Sequence, residues 1–125
     1  MLEQFKVSHD DAEFVQGDDL RNTVAGIFEK LGVSPEDSLL AADVQVLADL
    51  RGVDSHGVSN MLKSYITGYQ EGSINPRPNW KVVRETPSTA TIDSDRGLGT
   101  IITPKAMDIA IQKAKNVGLG MVTIG

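Results

Sequence analysis

The 125-residue chain contains no cysteine. That absence excludes disulfides, thiolate metal sites and a cysteine nucleophile together. Two histidines are too few for a histidine-rich metal site, so no metal is expected within this chain. Basic charge is also short. Twelve Lys and Arg against seventeen Asp and Glu leave a net charge of -5. The basic residues are scattered and form no stripe with interleaved aromatics, which argues against a nucleic-acid partner. No apolar run approaches the roughly 20 residues that span a bilayer, so no membrane partner is expected. The opening "MLEQFKVSHDDAEF" has neither a charged n-region nor a continuous apolar h-region of a signal peptide. A reducing cytoplasm is the natural compartment for such a chain.

What is present fits a soluble globular protein, with 40% hydrophobic and 23% charged residues. A chain this long can bury roughly two-thirds of the surface its unfolded form exposes. The first half carries helical periodicity. Leu20, Val24, Ile27, Phe28 and Leu31 predict a helix from Asp18 to Leu31, stopped by Gly32. Asp18 and Asp19 suit its N-terminal pole. "SPED" then supplies Ser34 as N-cap, Pro35 at the first helical position and Asp37 three residues on. A second helix should run from Pro35 to about Leu50, with Leu40, Val44 and Leu47 as its inward stripe and Gly52 just beyond. "VSNMLKSYITGYQEG" predicts a third helix ending near Gly72.

"SINPRPN" breaks that pattern with two prolines and two asparagines. "WKVVRE" and "TATID" read as short strands joined through Thr86-Pro87-Ser88, and "DSDRGLG" as a loop. Thr103-Pro104 is expected to open a fourth helix, with Ala106, Ile109, Ala110, Lys113 and Val117 on one face. Lys113 and Lys115 suit its C-terminal pole, and Gly118 its stop. "MVTI" then reads as a buried-type strand. Such a strand at the end of the sequence suggests the opening segment of a longer chain.

Candidate chemistry narrows quickly. Gly97-Leu98-Gly99 and Gly118-Leu119-Gly120 are both G-x-G, but Ile102 stands where the first would need its third glycine. The second follows a helix instead of preceding one. Asp93-Ser94-Asp95 resembles the start of a calcium loop without its later ligands, and a turn is the expectation. His9, in a polar N-terminus, reads as a surface residue. "RGVDSHGVSN", residues 51–60, remains. Ser55 could cap the third helix, with His56 incidental in its first turn. Alternatively, His56 could exchange protons, since imidazole is the side chain that ordinarily titrates near neutrality. Neighbouring side chains usually point apart, so the spacing favours general acid–base work over a serine nucleophile.

"LADLRGVDSHGVSNML", residues 47–62, resembles the signature of the type 2 malate/L-lactate dehydrogenase family, whose members include ureidoglycolate and sulfolactate dehydrogenases. "GSINPRP" and "TATIDSDRGLGTIITPKAMDIAIQKAKNVGLGMVTI" resemble the segments that follow, in the same order, so the likeness covers nearly everything after about residue 20. The resemblance implies an oxidoreductase that moves a hydride between NAD or NADP and a 2-hydroxy or 2-oxo acid such as malate or lactate. It also implies a non-Rossmann nucleotide-binding fold and a homodimer. His56 matches the family's acid–base group, and Ser55 the serine beside it. Many members carry an arginine four residues after that histidine, where this chain has Asn60. Lys63, seven residues from His56, is the expected replacement charge beside Asn60 for the substrate carboxylate. No residue is assigned to the cofactor, and the segment alone is expected to be inactive.

The fold expected is therefore α/β: a helical N-terminal lobe, residues 1–74, carrying the Ser-His-Gly motif. It should be followed by the β-β-α-β opening of a layered mixed-sheet domain, residues 75–125. A non-catalytic helical interaction module, or a relic of the same family, is the alternative.

Overall fold

The computed structural model describes residues 8, 10, 11 and 13–125. His9 lies outside the described residues. The chain divides into two compact units, one ending at Ser73 and the other covering Ile74–Gly125.

The first unit is helical. Helix α1 (Gly17–Lys30) buries Val24, Ala25 and Phe28, and Gly32 follows it at φ 92°, a left-handed conformation that glycine adopts without strain. Helix α2 (Pro35–Leu50) starts as the sequence predicts: the Ser34 hydroxyl accepts the Asp37 amide at 3.2 Å, and Pro35 opens the first turn. Its inward face is a correction. Ser38, Ala41, Ala42, Gln45 and Val46 are buried, whereas Leu40 and Val44 are half-buried and Leu47 is exposed. Small side chains let two helices approach closely, so α1 packs on the narrow face instead of the leucine face. Arg21 of α1 reaches across to Asp43 of α2 at 2.8 Å and also pairs with Asp18. A 3₁₀ turn (Asp54–His56) leads into helix α3 (Val58–Gln70), whose Tyr69 meets Phe28 edge-to-face at 6.1 Å between ring centroids.

The second unit is a three-stranded mixed sheet with one helix. Strands β1 (Lys81–Glu85) and β2 (Thr89–Asp93) are antiparallel, with a bulge between Val82 and Arg84. Helix α4 (Gly99–Val117) then crosses to β3 (Met121–Ile124), which lies parallel to β2, giving the order β1-β2-β3. Ile92, Ile102 and Ala106 form the core, with Trp80, Ile109 and Val122 around it. A side chain at Gly120 would overlap the carbonyl of Ala110, so glycine is what lets the start of β3 lie so close to the helix backbone. Helices then strands make the unit order, and the α/β class expected from the sequence holds.

Four expectations fail here. Helix α4 begins at Gly99 and carries Pro104 inside it. Burial of Ile101 and Ile102, 2% and 0% exposed, drives the preceding turn into helix and outweighs the preference of proline for a first position. Val117 is exposed at the helix end, and Lys113 is buried in a tertiary contact instead of serving the helix pole. Its ammonium donates to Glu85 Oε1 at 2.8 Å and to the Thr86 carbonyl at 2.7 Å. Strand β3 has the apolar sequence of a buried strand but lies at the sheet margin, where Met121 and Ile124 are exposed. Among the described residues, no helix is long and apolar enough to cross a membrane.

Candidate functional site

Helix α2 stops at Leu50 because the chain turns at Gly52, where φ is 70°. The Val53 amide bonds back to the Ala48 carbonyl at 2.9 Å, folding residues 51–53 against the helix end. His56 N–H donates to the Val53 carbonyl at 2.9 Å and Gly57 N–H to the Asp54 carbonyl at 3.2 Å, which closes the 3₁₀ turn. Gly57 is extended, and α3 starts immediately after it. Ser55 and His56 therefore stand in a separate tight turn before α3, neither as its cap nor in its first turn.

That turn brings the two side chains together. Ser55 Oγ and His56 Nδ1 are 2.9 Å apart, so adjacency in sequence does not separate them as expected. A 3₁₀ turn places successive side chains about 120° apart, close enough for a short hydroxyl to reach the neighbouring ring. With Nδ1 occupied, Nε2 is the nitrogen left to meet a ligand, and His56 is exposed.

Asn60 is engaged in the turn itself: its Nδ2 donates to the Ser55 carbonyl at 2.7 Å. Its second N–H faces Met61 Sδ at 3.8 Å, a weak acceptor, and the Oδ1 acceptor remains. Lys63 is exposed on α3 and has no ion-pair partner among the described residues. The extended Gly57 interrupts helical continuity between His56 and Lys63. Seven-residue spacing therefore does not by itself put them on one face. Tyr65, half-buried, has its phenol pKa raised by desolvation.

Asp49 was missed by the sequence reading, although it sits in the last turn of α2. Its Oδ2 accepts the Val58 amide at 2.9 Å, capping α3 from nine residues upstream. One signal could have pointed to it. Gly57 has no side chain to cap with, so the orphan donors of α3 need an acceptor from another element.

The glycine-rich loop before α4 serves packing. A Cβ on Gly97 would lie 2.8 Å from Ile102 and 3.0 Å from Pro78, so the glycine makes room for the residue that replaces the third glycine of a fingerprint. Asp95 and Arg96 are left-handed at φ 50° and 59°. The Asp95 carboxylate accepts the Asn75 side chain and the Asn79 amide, each at 2.9 Å, so it is spent on fastening two loops. A hollow of about 190 Å³ between α4 and β3, lined by Ala106, Met107, Ala110 and Val122, contains none of the candidate residues.

A helical lobe that presents a Ser–His pair in a 3₁₀ turn, followed by a small mixed sheet, defines the class. The sequence profile of the family described as malate/L-lactate dehydrogenase matches residues 15–125, and the chain belongs to that family. It is 48% identical over 102 residues to L-sulfolactate dehydrogenase of Methanocaldococcus jannaschii, covering 82% of this chain and 29% of that protein. It is 44% identical over 107 residues to malate dehydrogenase of Pyrococcus abyssi, again covering 29% of the relative. The solved malate dehydrogenase of Pyrococcus horikoshii OT3 superposes with a TM-score of 0.89 at 43% identity, over 99% of this chain and 35% of that one. The chain thus spans about a third of the length of the proteins it resembles.

Proposed function

We propose that this segment supplies the proton-exchanging lobe of an NAD(P)-dependent oxidoreductase acting on a 2-hydroxy or 2-oxo acid. The observation that carries the reading is the 2.9 Å contact between Ser55 Oγ and His56 Nδ1. A hydroxyl can accept from Nδ1–H, and that arrangement is compatible with both the charged and the neutral ring. In reduction, imidazolium gives its Nε2 proton to the C2 oxygen while Nδ1–H stays on Ser55. In oxidation, the Nε2 lone pair takes the hydroxyl proton and the Nδ1 contact is unchanged. Ser55 thereby fixes which nitrogen works and in which orientation, the role a second group ordinarily plays for a catalytic histidine.

The residues present fit the proton half of this chemistry; the nicotinamide cofactor, NAD or NADP, exchanges the hydride with C2 when bound. The loop before α4 does not make a dinucleotide fingerprint, because the buried Ile102 stands where the motif needs a small third residue for close helix–strand packing. No residue described here is assigned to holding the cofactor. On the substrate side, the Lys63 ammonium supplies a point charge for a carboxylate, and Asn60 turns its second N–H from the Met61 sulfur, a weak acceptor at 3.8 Å, to a substrate oxygen.

The test is turnover of the full natural chain with NADH or NADPH and a panel of 2-oxo acids, wild type against His56→Ala. A fall of about two orders of magnitude or more is expected for a lost acid–base group. Full activity in the mutant would remove His56 from the chemistry.

A further inference from the structure

Asp49 lies outside the motif that draws attention, yet it holds the backbone on which that motif stands. We propose that Asp49 is a positioning residue for the Ser55–His56 pair, acting through Gly57 and Val58; its part in turnover rests on the reading of His56 given above.

Helix α3 begins with an N-cap glycine, which offers no side chain to its own first amides. Asp54 does not fill that role: its Oδ2 is buried and has no hydrogen-bond partner among the described residues. Asp49 does, taking the Val58 amide from the far side of the turn. The fit extends to Gly57. A Cβ there would fall inside the Asp49 carboxylate, meeting Oδ1 and Cγ as well as Oδ2. Gly57 is buried, so the carboxylate occupies the space a side chain would take.

His56 is thus bracketed. On its C-terminal side, Asp49 fixes Val58. On its N-terminal side, the Asn60 amide holds the Ser55 carbonyl at 2.7 Å. Among the described residues, the turn between them is closed by two backbone bonds, from His56 to Val53 and from Gly57 to Asp54. Loss of the Asp49 acceptor frees the Gly57–Val58 peptide to rotate. The Ser55–His56 contact depends on the dihedral angles of that same turn. Asp49 sits on α2, so the bond also ties the motif to a helix whose Ala41, Ala42, Gln45 and Val46 are anchored in the core.

The experiment combines two measurements on the full natural chain. Amide exchange at Val58 and the ¹⁵N shifts of the His56 ring are read by NMR without turnover, and steady-state kinetics are read alongside. Asp49→Ala should speed Val58 exchange by about fivefold or more, the scale of a lost helix cap. It should also move the His56 Nδ1 shift as the Ser55 bond is released. The kcat should drop by about tenfold or more with KM little changed, as expected of a misplaced catalytic group. Asp49→Asn keeps a carbonyl acceptor and should restore most of each readout.

Unchanged Val58 exchange and His56 shifts in Asp49→Ala would overturn the proposal whatever the kinetics do. An Asn variant as damaged as the Ala variant would also overturn it. If Asp49→Ala does not fold, Gly57→Ala serves instead, since the added methyl must displace the carboxylate. Unaltered Val58 exchange in that variant would then sink the idea. Should the NMR changes appear while His56→Ala retains full activity, the positioning stands and the catalytic reading falls.

Discussion

At the scale of single residues, the division of labour around His56 follows from donor and acceptor counts. Asn60 gives one N–H to the turn and the other only to the weak acceptor Met61 Sδ, and an amide of this kind can orient a carboxylate but not neutralise it. Lys63 is the nearest cation along α3 and is free of ion pairs among the described residues. If it supplies the charge, Lys63→Ala should raise KM for a 2-oxo acid by about tenfold while kcat changes little, because a uniform binding contact is lost. An unchanged KM would assign Lys63 to solvent. The motif was legible in the sequence because histidine and serine are chemically conspicuous. The support from Asp49 was not, because a cap nine residues upstream depends on how the chain turns between Gly52 and Gly57.

At the scale of elements, local chemistry announced some boundaries and packing set others. Ser34, Pro35 and Gly32 place their helix ends by cap and φ alone, and the structure agrees. The start of α4 shows the opposite case, since Ile101 and Ile102 pull Gly99–Thr103 into the helix despite Pro104. The leucines of α2 mislead for a related reason: bulk suggests burial, whereas close helix packing selects alanine. Lys113 illustrates a contact no periodicity could foretell. From about one turn before the end of α4 it reaches the β1–β2 turn, its side chain 10% exposed against 62% for its Glu85 partner. Lys113→Met keeps the buried stem but removes the donor from the Thr86 carbonyl. It should lower stability by about 1–2 kcal/mol, measured as a fall in the urea midpoint at constant slope. No shift in the midpoint would mean that the stem alone matters.

At the scale of the whole molecule, stability at high pH reports on one phenol. Burial, then the nearby Asp37 and Tyr65, pushes the pKa of Tyr69 from 10.0 up to about 12. An unfolded chain ionises the group first, so it binds fewer protons than the native state between those values. The contribution of Tyr69 is therefore fully present below pH 10 and is lost as pH rises toward 12. Its hydroxyl has no hydrogen-bond partner among the described residues, so Tyr69→Phe should be neutral to slightly stabilising at pH 7. The same variant should flatten the stability profile between pH 10 and 12, and a profile matching wild type would refute the assignment. The α/β order was readable along the chain because each segment carries its own period. The sheet margins were not, since strand order is a property of pairing. Those margins differ in character: β1 bears Lys81, Arg84 and Glu85, whereas β3 is Met121-Val122-Thr123-Ile124, without a charge or a proline. Charged side chains discourage stray pairing along an open strand, and their absence invites it. For anyone handling this segment in isolation, β3 is the place where aggregation would begin, and a single lysine introduced there is the cheapest gatekeeper.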